Sequence, residues 1–198
     1  LPMYNGVEEL LIGHAASCPL EPDTASYPTI VWYGTSITQG ACASRPGLTF
    51  AHSLARHLNH EVLNFGFDAN CLMETSVAQY LVQVPDPVLF VIDCVWNMVP
   101  SLIRVRAGPL VQFLRSHHPT VPIVLAEDTK GGDSWINPVE QEERRTALRA
   151  AYDELVNNGE TNLYYVHGEQ LFNFVAMDDK FMSPTVDGIH PNDIGMQA

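Results

Sequence analysis

The sequence predicts an α/β domain in which a mostly parallel, five-stranded sheet lies between two layers of helices. Two observations carry this prediction: apolar runs recur along the chain between turn signals, and segments with helical spacing separate them. The runs are continuously apolar rather than alternating, which is typical of strands buried on both faces. A regular order of strand and helix then favours a parallel sheet with helices on each side. Such sheets bind ligands at the carboxyl ends of their strands.

Five apolar runs are predicted to be the strands: Thr29–Tyr33, Glu61–Phe65, Val88–Val95, Pro122–Ala126 and Asn162–Val166. Three segments between them carry apolar residues at helical spacing. They run from Leu48 to Leu58, from Leu102 to Leu114, and over Pro138–Asn157. In the last of these a charged face opposes an apolar one. The residues that follow each strand are therefore where a functional site is expected.

The length and composition fit a single globular domain. The chain has 198 residues, of which 46% are hydrophobic and 17% charged, so a sizeable core is expected. We place this domain at residues 29–198 and treat residues 1–28 as a separate N-terminal segment. Pro19–Pro28, with its acidic and hydroxyl residues, is the best candidate for a connection between the two. The chain begins within LPMYNGVEELLIG and stops at DIGMQA, so we expect it to be part of a longer protein.

The excess of acidic over basic residues limits the kinds of molecule that the chain can bind. A formal net charge of -13 would repel a polyanion over most of the surface, so nucleic acid is not expected as a partner. The sequence contains no apolar run near the roughly 20 residues that span a bilayer, and its N-terminus lacks the layout of a signal peptide. We therefore expect no membrane association, whereas the sequence does not predict the cellular compartment or the oligomeric state.

The four cysteines show no CxxC spacing, which argues against a structural zinc site. Cys94 lies in a strongly apolar run and is interpreted as a small buried hydrophobic residue. Cys42 and Cys71 each follow a turn at what is expected to be one end of the sheet, so a disulfide between them is conceivable. Free thiols are the favoured interpretation. No other ligand set or nucleotide-binding motif is present, and we expect neither a metal nor a cofactor.

Reactive groups follow several of the predicted strands. Ser36 stands in the turn Gly34-Thr35-Ser36, amides and a carboxylate follow the second and third strands, and Asp187 and His190 lie in the last loop. Acyl transfer needs this set: a nucleophilic hydroxyl, a base, an acid that orients the base, and donors for an oxyanion. The alternative is that Gly34 only permits a tight turn and that Thr35 or Ser36 caps the following helix.

The spacing of Asp187 and His190 favours their cooperation. Three residues in a loop or a first helical turn bring both side chains to one side, so Asp187 can accept the Nδ1 proton while Nε2 faces a serine. Pro191 suits a first helical position, which would hold His190 at the start of a final helix. The alternative is that Asp187 merely caps that helix and His190 is a solvated loop residue.

Four blocks of sequence now stand in order: GTSITQGACASRPG, NFGFDAN, DCVWN and DGIHP. From about Thr29 to the end of the chain they resemble the four blocks of the SGNH (GDSL-like) hydrolase superfamily, which supply Ser, Gly, Asn and His. The chain is most similar to the subgroup in which a GDSL-type lipase/esterase domain follows a small β-sandwich domain. The resemblance implies a flavodoxin-like fold and makes residues 1–28 the tail of such a leading domain plus a linker.

By this resemblance Ser36 is the nucleophile, His190 the general base and Asp187 its orienting acid. The oxyanion hole would comprise the backbone N–H of Ser36, the Asn97 side chain and a backbone N–H of the second block. These residues are Ser36, Ala69, Asn97 and Gly66. The second-block glycine aligns with Ala69 rather than with Gly66, so the hole would be slightly misaligned if that position requires a positive φ. The third block also departs from the family pattern, with Val95 and Met98 where Gly and Asp are common.

The resemblance implies a serine esterase that acts on short-chain acyl or acetyl esters, with carbohydrate esters as candidates. Arg45, Trp96 and Trp135 are the predicted substrate-binding residues, and the loop of residues 127–137 and the segment Met177–Met182 are expected to overhang the serine. Two alternatives remain. One is an acyltransferase that uses the same serine, and the other is a non-catalytic module that binds a carbohydrate or a protein. A GxSxG elbow, a P-loop and a GxGxxG site are absent from the sequence.

Overall fold

A computed structural model describes residues 6–21, 25–129, 138–171 and 184–198. Five parallel strands form one sheet in the order β2-β1-β3-β4-β5. They are β1 Thr29–Gly34, β2 Glu61–Gly66, β3 Pro87–Asp93, β4 Ile123–Ala126 and β5 Leu163–Val166. The α/β fold with a parallel sheet is therefore confirmed. β1 lies between β2 and β3, so the chain reverses its direction across the sheet at β1, and ligands bind at such points.

Five helices and four 3₁₀ turns connect the strands in the described residues. The helices are α1 Ser36–Gln39, α2 Phe50–Leu58, α3 Thr75–Leu81, α4 Pro100–His117 and α5 Pro138–Asn157. The 3₁₀ turns are Pro46–Leu48, Val95–Asn97, Gly168–Gln170 and Gly195–Gln197. The three predicted helical segments correspond to α2, α4 and α5. α1 and α3 were not predicted.

The helices cover both faces of the sheet. On one face, Tyr33 and Ile92 belong to a fully buried apolar cluster that includes residues of α3, α4 and α5. Side chains alternate along a strand, so Ile30 and Val91 point to the opposite face, and they too are buried. There the first two helices pack against β2. The domain therefore has three layers. Because both faces of the sheet are buried, the strands are continuous apolar runs in the sequence.

The predicted strand ends agree with the structure to within two residues. The largest difference is at the third strand, which ends at Asp93 rather than at Val95. Cys94 is followed directly by the 3₁₀ turn Val95–Asn97. The early end matters because it places Asn97 in the loop at the carboxyl edge of the sheet.

The prediction that Pro191 begins a final helix is wrong. Pro191 pairs with Thr185 in an isolated antiparallel bridge, and the Val186 N–H donates to the His190 carbonyl at 3.0 Å. The short helical turn near the C-terminus begins at Gly195. His190 is therefore held in a closed loop rather than at a helix N-terminus.

The prediction of free thiols is wrong for two of the four cysteines. Cys71 and Cys94 form a disulfide, and both are completely buried. Cys18 and Cys42 are free and exposed, so no bond joins Cys42 to Cys71. Cys94 is buried as predicted, but its pairing with Cys71 is not indicated by its apolar sequence neighbours.

Residues 6–21 are exposed and carry no helix or strand. Several large apolar side chains of this segment face solvent, among them Leu10, Leu11 and Ile12. The assignment of residues 1–28 to the tail of a preceding β-sandwich domain stays a prediction. Within the described ranges, no helix is both long and apolar enough to cross a membrane.

Candidate active site

Ser36 lies directly beyond the carboxyl end of β1, as the first residue of the one-turn helix α1. Thr35 caps this helix, since its hydroxyl accepts the Ile37 N–H at 3.2 Å. A β-carbon at Gly34 would collide with the Thr38 side chain, so glycine is needed there for the close approach of α1 to the strand. The turn thus caps a helix, as the alternative interpretation held, and it also presents the serine at the sheet edge.

His190 and Asp187 complete a hydrogen-bonded chain with Ser36. The Ser36 Oγ lies 2.9 Å from His190 Nε2, and His190 Nδ1 lies 2.6 Å from Asp187 Oδ2. Only 6% of Ser36 is exposed, whereas 25% of the His190 side chain and 47% of the Asp187 side chain are accessible. The hydroxyl is therefore enclosed by protein while the imidazole and the carboxylate approach it from the surface.

The loop of residues 185–191 fixes the orientation of the carboxylate. Asp187 Oδ1 accepts the backbone N–H of Ile189 at 2.9 Å and that of His190 at 2.7 Å. Partial burial raises the pKa of Asp187, but the hydrogen bonds from the His190 side chain and from these two amides outweigh it and hold the pKa at about 2. Asp187 is therefore ionised at neutral pH, and it orients the imidazole by accepting a hydrogen bond from Nδ1–H.

Of the predicted oxyanion donors, Ser36 and Ala69 have backbone N–H groups without an acceptor in the described residues. Ser36 is at the first position of α1, where a helix leaves its N–H groups unpaired. Ala69 is exposed and has a φ of 55°, so this position does adopt the left-handed conformation that favours glycine. Its loop adjoins the nucleophile helix, because the Asp68 N–H donates to Gln39 Oε1 at 3.1 Å.

Gly66 is not placed as a donor. Its N–H donates to Asn64 Oδ1 at 2.9 Å, so it is already engaged. A β-carbon at Gly66 would collide with the backbone of Gln39, which gives the glycine a packing role beneath α1.

Asn97 lies in the 3₁₀ turn after β3, and its side-chain amide is oriented by the backbone. Asn97 Oδ1 accepts the Cys71 N–H at 3.2 Å. The other end of the amide, Nδ2, has no protein acceptor within the described part of the chain, and it is not among the buried polar atoms that lack a partner. Asn97 Nδ2 therefore remains a donor that a ligand can reach.

The predicted substrate-binding residues have different surroundings. Arg45 is exposed at the start of the 3₁₀ turn Pro46–Leu48, close enough to Asp193 to lower the pKa of that carboxyl, after the larger effect of Ser44. Trp96 is partly buried, and its indole N–H donates to Thr129 Oγ1 at 3.2 Å. The Arg144 guanidinium lies over the Trp96 ring, 5.3 Å from its centroid.

Trp135 and the segment Met177–Met182 lie outside the described residues, as does most of the loop of residues 127–137.

Sequence reasoning missed the roles of three residues that hold helix α1 in place, namely Thr38, Asn64 and Asp93. Thr38 donates its hydroxyl to Asp93 Oδ2 at 2.9 Å, and its carbonyl accepts Asn64 Nδ2 at 2.6 Å. Burial raises the pKa of Asp93 to about 7, although the hydrogen bond from Thr38 acts in the opposite direction. The signal available in the sequence was position alone, since Asn64 lies near the end of β2 and Asp93 ends β3.

The described residues contain no group of three or more His, Cys, Asp or Glu side chains arranged to hold a metal ion.

The sequence of residues 28–198 matches the GDSL-like lipase/acylhydrolase family. The chain belongs to this family. A search of the curated proteins finds no match for this GDSL-like chain.

Solved structures resemble this GDSL-like domain over most of its length. A protein from Bacteroides ovatus described as a GDSL-like lipase has 32% identity and a TM-score of 0.78, over 86% of this chain and 49% of its own. The salicylyl-acyltransferase SsfX3 of a tetracycline biosynthetic pathway has 22% identity and a TM-score of 0.77, over 90% of this chain and 53% of its own. The chain thus spans about half the length of these two structures.

A two-domain esterase active on acetylated mannans, co-crystallised with mannopentaose, is a more distant structural neighbour. It has 19% identity and a TM-score of 0.63, over 86% of this chain and 46% of its own. At this identity the similarity establishes a common fold.

Proposed function

We propose that this GDSL-like domain is a serine carboxylic ester hydrolase that forms an acyl-enzyme on Ser36. The observation that carries the proposal is the hydrogen-bonded chain from Ser36 Oγ through His190 to Asp187, with distances of 2.9 and 2.6 Å. The alternative, in which His190 is a solvated loop residue and Asp187 only a cap, does not explain why His190 Nε2 is hydrogen-bonded to the buried Ser36. Membership of the family supports a hydrolase of this kind.

In the first half of the reaction, His190 Nε2 takes the proton of the Ser36 hydroxyl as its oxygen attacks the ester carbonyl. Asp187 accepts the hydrogen bond from Nδ1 and stabilises the imidazolium that forms, without itself taking the proton. The carbonyl oxygen becomes an oxyanion, and the donors we assign to it are the N–H groups of Ser36 and Ala69 and Asn97 Nδ2. His190 then gives the proton to the departing alcohol, which leaves the acyl group on Ser36.

In the second half, a water molecule replaces the alcohol. His190 removes a proton from that water, the resulting oxygen attacks the acyl carbonyl, and the same donors stabilise the second oxyanion. Collapse of this intermediate returns the proton to Ser36 Oγ and releases the carboxylic acid.

We propose short-chain acyl esters as the substrates, with acetyl esters of carbohydrates among them. The similarity in fold to an esterase active on acetylated mannans supports this choice. The direct test is hydrolysis of p-nitrophenyl esters from acetate to decanoate. We expect kcat/KM to be highest for the shortest acyl chains. A maximum at decanoate would contradict the proposed substrate class but not the proposed chemistry.

An acyltransferase is the second candidate function, favoured by the similarity to the salicylyl-acyltransferase SsfX3 over 90% of this chain. Both functions share the acyl-enzyme and differ in whether water or an alcohol accepts the acyl group. Product analysis with added alcohol acceptors separates them. A transferase would form the new ester faster than the free acid, whereas a hydrolase would form mainly the acid.

A further inference from the structure

The disulfide between Cys71 and Cys94 connects the two loops that carry the proposed oxyanion donors. Cys71 follows Ala69 by two residues in the loop after β2, and Cys94 precedes Asn97 by three residues at the end of β3. β1 separates these two strands in the sheet, so no strand pairing joins them directly. The disulfide is therefore a covalent link across the position of the nucleophile.

A hydrogen bond closes this link into a ring. From Cys71 the ring passes through the disulfide to Cys94, along the 3₁₀ turn to Asn97, and back through the bond between Asn97 Oδ1 and the Cys71 N–H. Because this bond uses the oxygen of the amide, it directs the Nδ2 end away from Cys71. The disulfide thus fixes the backbone group that orients the Asn97 side chain.

The fold has other means of holding this region. Glu74 Oε2 accepts the Leu72 N–H at 3.2 Å and the Tyr33 hydroxyl at 2.9 Å, which anchors the chain after Cys71 to β1. Arg106 donates to the Leu72 carbonyl at 2.7 Å. These bonds hold the chain from Leu72 onward against the core, so we expect the particular effect of the disulfide on the residues between Ala69 and Cys71 and on the turn to Asn97.

We propose that the Cys71–Cys94 disulfide is a positioning device for the oxyanion hole, which holds the Ala69 N–H and Asn97 Nδ2 in the arrangement required by the anionic intermediate. The inference rests on the proposed ester hydrolysis. A dithiol reductant supplies two electrons and two protons, breaks the S–S bond, leaves one thiol on each cysteine and is itself oxidised to a disulfide. The donors then lose their fixed arrangement, which lowers the stabilisation of developing charge but not the binding of the uncharged ester.

The first test compares the double variant Cys71→Ala/Cys94→Ala with wild type, using p-nitrophenyl acetate. We expect kcat to fall by about ten- to a hundredfold, because small displacements of catalytic groups have effects of this size, while KM changes by less than about twofold. Cys18→Ala is the matched control, since it removes an exposed free thiol from the N-terminal segment and should leave both constants unchanged. An unchanged kcat in the folded double variant would overturn the proposal.

A double-mutant cycle separates positioning from general stabilisation. If the disulfide acts by holding Asn97, then Asn97→Ala should reduce kcat by a smaller factor in the disulfide-free background than in wild type. If the disulfide only stabilises the fold, Asn97→Ala would reduce kcat by the same factor with and without the disulfide. Equal effects of Asn97→Ala in the two backgrounds would therefore contradict the proposal.

A third measurement needs no variant and covers the case in which the double variant fails to fold. Because both sulfurs are buried, a reductant reaches them only in the unfolded chain, so wild-type protein is unfolded with or without dithiothreitol and then refolded. After removal of the reductant without exposure to air, the reactive thiols in unfolded aliquots, the circular dichroism and the esterase rate of the two samples are compared. We expect two thiols in the oxidised sample and four in the reduced one, with a lower rate and an unchanged circular dichroism in the reduced sample. Four thiols in the oxidised sample, an equal rate in the two samples, or a rate that is lower only because the circular dichroism is lost, would overturn the proposal. An oxidised wild type without esterase activity would instead be a failure of the proposed function, visible before any reduction, and the inference would fall with it.

Discussion

The side chain of Asn97 has one end bound to backbone and the other end directed away from it. The bond from Cys71 to Oδ1 fixes the amide, so Nδ2 is prepared to donate to a developing oxyanion. We expect Asn97→Ala to reduce kcat by about a hundred- to a thousandfold with little change in KM, as for the loss of one oxyanion donor. Steady-state kinetics together with thermal unfolding of the same preparation measure this. A destabilised but fully active variant would mean that Asn97 only closes the turn.

Ala69 is strained by its backbone conformation. An L-residue other than glycine in the left-handed region costs about 1–2 kcal/mol, partly offset by the smaller conformational entropy that alanine loses on folding. We expect Ala69→Gly to raise the free energy of unfolding by up to about 1 kcal/mol and to retain activity, because the N–H donor is kept.

Denaturant unfolding of this variant beside Ala150→Gly provides the comparison. Ala150 is exposed within α5, where the same change should lower the free energy of unfolding by about 1 kcal/mol. Equal losses in the two variants would show that Ala69 is not strained.

The hydrogen-bonded set of Ser36, His190 and Asp187 could be anticipated from the sequence because each residue lies in a short local pattern. Asp187 and His190 are three residues apart, and Ser36 follows an apolar run, so neither inference needs the tertiary structure. The Cys71–Cys94 pairing could not be predicted in this way. It depends on how far each loop extends beyond its strand, and a span of 23 residues along the chain does not determine that.

Helix α1 depends on its surroundings, because a helix of four residues is not stable alone. Its position is held by the hydrogen bonds that join Thr38 to Asp93 and to Asn64. Asp93 has an ordinary pKa of 3.8 and a pKa of about 7 in the folded protein. The folded state therefore binds this proton more tightly than the unfolded state. The stability that results is complete below about pH 4 and is lost as the pH rises through 7.

We expect Asp93→Asn to be more stable than wild type at pH 8, because an ionised carboxyl is no longer buried, and the advantage should shrink at pH 5. The two pH units between the pKa of about 7 and pH 5, at about 1.4 kcal/mol each, set an upper limit of about 3 kcal/mol for the change in this difference. Denaturant unfolding of both proteins at the two pH values tests this. A difference that does not depend on pH would show that Asp93 titrates normally.

The strands and the long helices were predictable from the sequence because burial dictates their composition. β1 and β3 are covered on both faces over most of their length and are apolar except at Thr29 and Asp93, and α5 shows its charged and apolar sides over 20 residues. α1 and α3 have four and seven residues, which is too short for a helical period to stand out. The sequence predicts a helix start at Pro191, because proline is common at the first position of a helix. Proline also fits a closed loop, and the bridge between Pro191 and Thr185, which the sequence does not show, makes this segment a loop.

For the molecule as a whole, the strand order places Ser36, the proposed nucleophile, at the carboxyl edge of the sheet. Ser36 follows the end of β1 by two residues, and the neighbouring strands β2 and β3 lead into the loops of Ala69 and Asn97. The triad is completed by a loop from the far end of the sequence. The Asp187 pKa of about 2 keeps this carboxylate ionised above about pH 4. We therefore expect Asp187 to contribute no change in activity with pH above that value.

We expect kcat/KM to rise with pH, because a general base accepts a proton only in its neutral form, and we expect no contribution from Asp187 above about pH 4. A pH profile from 4 to 9, with p-nitrophenyl acetate, measures this. The same profile for Asp93→Asn serves as the control, because Asp93 is the other carboxyl expected to titrate in that range. A pH dependence that disappears in Asp93→Asn would show that Asp93, and not the proposed base, causes it.

The most direct test of the central claim is the reaction of the protein with a fluorophosphonate, followed by intact mass and by ester turnover. We expect wild type to gain the mass of one phosphonyl group with loss of activity, and Ser36→Ala to gain none while its kcat is lower by about a million-fold. Ser116→Ala, at the opposite end of α4 from the strand exits, should behave as wild type. A folded Ser36→Ala protein that is labelled and hydrolyses esters at the wild-type rate would contradict the account.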